Sequence, residues 1–274
     1  MKVNKNIIFL VSIFVILILI MLFAFILING FYQNRILFHA IENDDYEMAK
    51  EAVNKGAFLN IRETAFYLPT IIDTNYTPLV AACKKGNEAM VRMLIEHGAD
   101  INQPDNYTGN TPLLAALHGG KANRFSLAMY VIERGADIHT VSNGNISPFK
   151  AALFISEKDD EKTISENETL IQYLLEHGVD HNISDIENAL TYSAHYKNRF
   201  AVQYLVEHQY YDVNCKDKRG NTALIVATKY GDAEIVKLLL DLGADATLTD
   251  KEGKTALDHA KSNRDEAIIS LLEN

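Results

Sequence analysis

The stretch "DKRGNTALIVATKYGDAEIVKLLLDLGADATLTD", Asp217 to Asp250, decides the fold. Thr222 presents a hydroxyl that can cap an entering helix. "IVKLLL", Ile235 to Leu240, places a broad apolar stripe on a second helix, and Gly243 ends it where a left-handed residue is needed. The stretch therefore predicts a helix, a turn, a second helix and a second turn. One such pair cannot bury its apolar face alone, so it must stack on a neighbour.

The neighbours are written in the same words. The ending returns as "LIEHGADIN" from Leu94, "VIERGADIH" from Val131 and "LLEHGVDHN" from Leu174. Aligning these endings with the "TPL" words puts helix starts at Thr77, Thr111, Ser147, Asn188, Thr222 and Thr255, with a weaker one at Arg35. The steps from Thr77 are 34, 36, 41, 34 and 33 residues. Pro78 and Pro112 suit a first helical turn, and Ala81, Ala82, Ala115 and Ala116 let helices approach closely. Gly98, Gly135 and Gly178 end second helices as Gly243 does.

A period near 33 with "D-x-x-G-x-T-P-L" and "L-L-x-x-G-A-D" resembles the ankyrin repeat over nearly everything after Arg35. The resemblance implies an all-α fold: a helix-turn-helix solenoid of about seven repeats with short turn or hairpin connectors. "RILFHAIENDDYEMAKEAVNKGAFLN" and "KTALDHAKSNRDEAIISLLEN" are then the units that shield the ends of the stack.

The N-terminus differs in kind. From Ile7 to Ile28 the chain runs 22 residues without a charge. At about 1.5 Å per residue that spans the roughly 30 Å hydrocarbon core of a bilayer. Lys2 and Lys5 precede the run, and Glu42, Asp44, Asp45 and Glu47 follow it near a lone Arg35, which predicts a cytoplasmic N-terminus. The domain expectation is a cytoplasmic segment 1–6, a transmembrane signal anchor 7–28, a linker 29–34 and an extracytoplasmic repeat domain 35–274. The alternative is a cleaved signal peptide, giving a secreted or periplasmic product. The run exceeds the usual apolar core of such peptides, and "FAFILINGFYQ" matches a cleavage site poorly.

Departures from the repeat pattern locate what the pattern does not explain. The connector from Phe58 to Asn75 is some nine residues too long and carries Phe66, Tyr67, Leu68, Ile71 and Ile72. It is read as tucked onto the solenoid, or else as a contact surface. A second insertion, Ser156 to Glu168, is polar and acidic and is read as a solvated loop. In the repeat at Asn188, "EHQYYDVN" puts Gln209 where glycine is usual, and the extra tyrosine predicts Tyr210 and Tyr211 displaced outward.

Chemical signatures are sparse. Cys83 and Cys215 lie about three repeats apart, too far for a disulfide, which predicts two free thiols. "EGKTAL" at Glu252 ends like a nucleotide-binding loop, but position 248 is Leu where that loop needs Gly. The repeat already uses Gly253 as a turn residue and Thr255 as a cap. His97, His177 and His208 each precede a helix end, where an imidazolium faces the negative end of the dipole. Asn75, Asn106, Asn145, Asn167 and Asn182 begin glycosylation sequons, of consequence only in a eukaryotic secretory pathway. No catalytic or metal residues, no cofactor and no small-molecule substrate are expected.

Beyond the anchor, 24 basic residues face 36 acidic ones, a net charge of −12 that argues against nucleic acid. By the ankyrin resemblance, partners meet the turn tips and the concave side of the first helices. Those positions are Tyr76, Lys84, Lys85, Tyr107, His118, His195, Tyr196, Lys218, Arg219, Lys229, Tyr230 and Lys251, with Asn106, Asn110, Asn221, Glu252, Lys254, Ser262 and Asn263 beside them. Seven of these are basic and one acidic, so the expected partner is a protein with an acidic surface. The competing reading is that lysines there only keep an exposed surface soluble. The functional expectation is a non-enzymatic, membrane-anchored protein-binding module outside the cytosol, in a bacterium. Its alternatives are a toxin-neutralising immunity protein, an envelope scaffold and an enzyme with a site near residues 58–75.

Overall fold

Six helices open on the caps that the sequence marks. The computed structural model describes residues 5–61, 76–119, 122–154, 159–181, 183 and 187–273, with side chains from Ser12 onward. The hydroxyls of Thr77, Thr111, Ser147 and Thr222 accept the amides of Val80, Leu114, Lys150 and Ile225 at 3.1 to 3.4 Å. Asn188 does the same for Thr191 at 2.8 Å, and Thr255 forms a reciprocal capping box with Asp258. These residues start α3 (Pro78–Lys85), α5 (Pro112–His118), α7 (Pro148–Ala152), α9 (Ala189–His195), α11 (Ala223–Lys229) and α13 (Ala256–Asn263).

Each first helix is followed through a turn by a second one: α4 (Glu88–Glu96), α6 (Arg124–Glu133), α8 (Glu161–Glu176), α10 (Arg199–Glu207), α12 (Ala233–Asp241) and α14 (Glu266–Glu273). With α1 (Lys5–Glu42) and α2 (Tyr46–Asn54) in front, seven pairs stack in chain order, and the described residues form no strand. Apolar residues from every pair, among them Leu37, Leu79, Leu113, Phe149, Leu190, Leu224 and Ile268, are all but inaccessible and make one core. Gly98, Gly135 and Gly243 have φ near +90°, the left-handed ending predicted for them.

Two rows of hydrogen bonds run along the stack. At the end where second helices finish, Asn60 accepts the Asp100 amide at 2.7 Å and donates to the Gly98 carbonyl at 3.4 Å. Asn102 repeats this with Asp137 at 2.8 Å and Gly135 at 3.2 Å, and Asn214 accepts the Asp245 amide at 2.8 Å. At the opposite end, where first helices finish, Asn87 donates to Asp44, Asn123 to the Gly86 carbonyl and Asn198 to the Leu153 carbonyl. The second asparagine row also caps the second helices at Asn87 and Asn198.

The apolar run and the first helix of the first repeat are one uninterrupted helix, α1, of 38 residues. Residues 29–34, expected as a linker, continue it and are gripped by the repeat. Asn29 donates to the Lys55 carbonyl at 2.7 Å, and Asn34 accepts the Phe58 amide at 2.6 Å. Gly30 lets the Phe58 ring approach closely: a Cβ there would lie 2.3 Å from it. Ser12–Glu42 is by length and composition long and apolar enough to cross a membrane, and only 6% of its most apolar stretch is buried, while its end from Leu37 to Ile41 enters the core.

Two further expectations are corrected. Residues 161–168 are not a loop but the first two turns of α8. Asp160 caps them through the Thr163 amide at 2.8 Å, and Thr163 and Asn167, one turn apart, are both buried. Asn167 donates to the Ala152 carbonyl at 2.6 Å, so polar composition here serves packing. Tyr210 and Tyr211 are not displaced outward: they fold back and donate to the carbonyls of Leu175 at 3.3 Å and His181 at 3.1 Å. Gln209 adopts φ of +58° in place of the missing glycine. Of the long connector only Phe58 to Ile61 are described; Phe66, Tyr67, Leu68, Ile71 and Ile72 lie outside the described residues.

Candidate partner-binding face

First helices pack side by side, so the residues at their ends form rows across repeats. The predicted positions divide between two such rows. Lys84, Lys85, His118, His195, Tyr196, Lys229 and Tyr230 sit where first helices finish, and Tyr76, Tyr107, Lys218, Arg219 and Lys251 sit in the connectors that precede them. A first helix of about eight residues separates the rows by roughly 12 Å.

The structure brings three of the predicted residues together. His195 stacks on Tyr230 at 4.0 Å and on Tyr196 at 4.6 Å between ring centroids. Tyr192 and Phe154 extend the group, packing on Tyr196 at 4.6 and 5.2 Å. These rings join the repeats begun at Ser147, Asn188 and Thr222 into one aromatic strip, with Phe154 and Tyr230 about half exposed. Burial, and then the hydrogen bond with Tyr196, raise the Tyr192 phenol, so it stays neutral and can donate.

Phe154 and Tyr192 were missed in the sequence. The signal for Tyr192 was its spacing of four from Tyr196 in "ALTYSAHY", which aligns two rings on one helix face. Nothing local marks Phe154, which joins the strip across a gap in the sequence.

Several predicted cations already have partners within the chain. Lys85 pairs with Glu42 at 3.1 Å, and Arg219 meets Glu187 at 3.6 Å. Lys84 donates to the Tyr76 hydroxyl at 2.9 Å and lies 4.5 Å from that ring's centroid. Lys229 reaches Asp250 at 3.1 Å and Asn221 at 2.8 Å. Asp250 is buried and would be raised by that burial. Hydrogen bonds from His259 at 2.8 Å, Lys229 and the amides of Lys254 and Glu252 overcome this and hold it well below the carboxylate range. The Lys229 ammonium is thus part of the scaffold.

Tyr107 and Lys251 are exposed in their connectors, as is Lys218. His118 stands at the end of α5, where desolvation lowers its imidazole pKa. Cys83 and Cys215 are unpaired thiols; burial pushes the first far up and the second to about 11, which makes both poor nucleophiles. His97, His177 and His208 each turn Nδ1 to the carbonyl four residues back, at 2.8, 2.8 and 3.1 Å, and so finish their own helices. Gly253 turns with φ of +76° and Thr255 caps α13, so "EGKTAL" is used by the fold. Among the described residues no three His, Cys, Asp or Glu side chains converge to hold a metal ion.

Comparison with known proteins agrees with this geometry. The family model for ankyrin repeats matches three times, over residues 37–142, 162–250 and 209–274. A putative ankyrin repeat protein of Escherichia coli, YahD, is 28% identical over 70% of this chain and 92% of its own length. Palmitoyltransferase AKR1 of Lachancea kluyveri is 31% identical over 64% of this chain, which spans only 23% of that relative. Among solved structures, the ankyrin repeat protein EF0377 superposes with a TM-score of 0.57 at 28% identity, over 72% of this chain and 96% of that one. The human ASB11 ankyrin repeat domain gives 0.65 at 23% identity over 86% and 96%, a likeness of fold. Ankyrin repeats imply protein–protein interaction, on a fold that is typically a non-enzymatic scaffold. Capped helix pairs, left-handed glycine endings and the family match over most of the sequence agree, and the chain belongs to the ankyrin-repeat family.

Proposed function

We propose that this chain is a membrane-anchored adaptor whose repeats hold a protein partner outside the cytosol, on the face made by the ends of the first helices. The aromatic strip of Phe154, Tyr192, His195, Tyr196 and Tyr230 carries this reading. Large rings that are already ordered against one another lose little entropy on binding, and Tyr is favoured at the centres of interfaces. Lys84 and Lys85 extend the face toward the first repeat. The Lys84 ammonium, held by the Tyr76 phenol, suits an acidic group at the rim of a partner. The charge pattern around residues 7–28 supports a cytoplasmic N-terminus and repeats on the far side.

The test is crosslinked capture from native membranes with the wild type and with Tyr196→Ala/Tyr230→Ala. A truncated central ring costs about 2 kcal/mol, roughly thirtyfold in affinity, so the double variant should lose the wild type's partner. Equal recovery of the same partner by both would overturn the assignment of this face. A reporter fused after Asn274 checks the topology, and cytoplasmic activity of that reporter would refute it.

A further inference from the structure

The continuity of α1 fixes how the solenoid stands on the bilayer. The apolar run ends at Ile28, and the first repeat takes hold of the same helix at Asn29, Gly30 and Asn34. At about 1.5 Å per residue these contacts lie within roughly 9 Å of the end of the run, about the depth of a headgroup layer. The far end of the first helix, Glu42, lies about 21 Å away.

The hydrogen-bonded rows carry these two levels across the stack. Lys55 and Phe58, which touch α1 at the near level, lead directly to Asn60, then to Gly98 and Asp100, then through Asn102 to Gly135 and Asp137. The connectors that leave from this row include the loops of Tyr107 and Val141. Those loops are tied together: the Asn143 amide donates to the Thr108 carbonyl at 2.8 Å, and its side chain donates to the Tyr107 carbonyl at 3.1 Å. The distal row starts at Glu42, which holds Lys85, and ends with the turns that carry the aromatic strip.

We infer that the connector edge of the solenoid lies on the outer surface of the bilayer that α1 spans, with Tyr107 and Val141 in the interfacial layer. Tyr107 is 77% exposed and Val141 51%, the two large apolar or aromatic side chains most exposed on this edge among the described connectors. Phe31 and Tyr32, 51% and 61% exposed, form the start of the same belt on α1 itself. Aromatic side chains favour this depth, where a ring meets apolar chains and a hydroxyl meets water. Lys251, exposed farther along the edge, suits a phosphate headgroup. The partner face at the distal ends of the first helices is thereby turned away from the membrane.

This inference rests on the anchored reading, and the test separates the two. The chain has no tryptophan, so one introduced residue is a unique reporter. The full chain carrying Phe23→Trp, Tyr107→Trp or Tyr230→Trp is reconstituted in phosphatidylcholine vesicles with and without brominated acyl chains. With the anchor spanning and the edge seated, Phe23→Trp is quenched strongly, Tyr107→Trp loses about half its emission at interfacial depth, and Tyr230→Trp is unchanged. Quenching at position 23 but not at 107 overturns the seated edge and leaves those connectors facing solvent or a protein. Equal quenching at 107 and 230 overturns the orientation. No quenching at position 23 overturns the anchor and this inference with it.

Discussion

Replacing Arg124 with methionine should cost about 3 to 5 kcal/mol of stability, the penalty for leaving one member of a buried ion pair alone. Arg124 at the start of α6 and Asp159 just before α8 are 6% and 7% exposed, far from the regime in which surface pairs contribute little. Two parallel hydrogen bonds join them, one of 2.8 Å from Nη1 to Oδ1 and a second from Nη2 to Oδ2. The guanidinium also lies 4.3 Å from the centroid of the Phe125 ring. Methionine keeps most of the apolar stem, so the loss isolates the charge. Arg124→Met/Asp159→Leu removes both charges and should recover to within about 1 kcal/mol of the wild type. Urea unfolding of the full chain in detergent, followed by far-ultraviolet circular dichroism, measures all three. A single variant that loses under about 1 kcal/mol would show that solvent reaches the pair and would refute the reasoning. A double variant as unstable as the single would show that the pair matters for its shape and not for its charge.

Acidification tests Asp250, whose carboxyl is held well below its ordinary value of about 3.9. Its ionised form therefore contributes fully at neutral pH, and the contribution is withdrawn as pH falls below that unfolded value. Asp250→Asn should be less stable than the wild type at pH 7, and the gap should narrow by pH 3 in parallel thermal melts; a constant gap would refute the linkage. Gln209→Gly should raise stability by about 1 kcal/mol, because a side chain at φ of +58° is strained and glycine is not. Loss of stability in the same urea assay would show that Gln209 makes a contact worth more than its strain.

The helix pairs were legible in the sequence because their determinants are local: a cap at Thr222, a proline at Pro112 and a left-handed glycine at Gly243 act within a few residues. The insertion that opens α8 was not legible, because its polar composition resembles a loop while its helical character depends on Asp160 capping and on the carbonyls of Ala152 in α7 and Ala122 in the preceding repeat. The candidate face was half legible. His195, Tyr196 and Tyr230 fall at repeat positions, but Phe154 joins only through a contact across repeats, Tyr192 joins through a ring four residues on along its own helix, and pairing with Asp250 turned Lys229 into scaffold.

The pair Asn29-Gly30 shows why the apolar run and the repeats could not be joined on the page of sequence. An asparagine and a glycine after an apolar run look like the end of a helix and the start of a flexible link. In the folded chain the glycine has the opposite effect: lacking a side chain, it admits the Phe58 ring, and the neighbouring asparagines lock the connector of the first repeat to α1. A flexible link would let the solenoid sample every orientation above a membrane. On the anchored reading, a continuous helix gripped within two turns of its apolar run narrows that range and keeps the aromatic strip on the side away from the membrane. The height and tilt of the strip above the bilayer then depend on Asn29, Gly30 and Asn34, which hold the first repeat to α1.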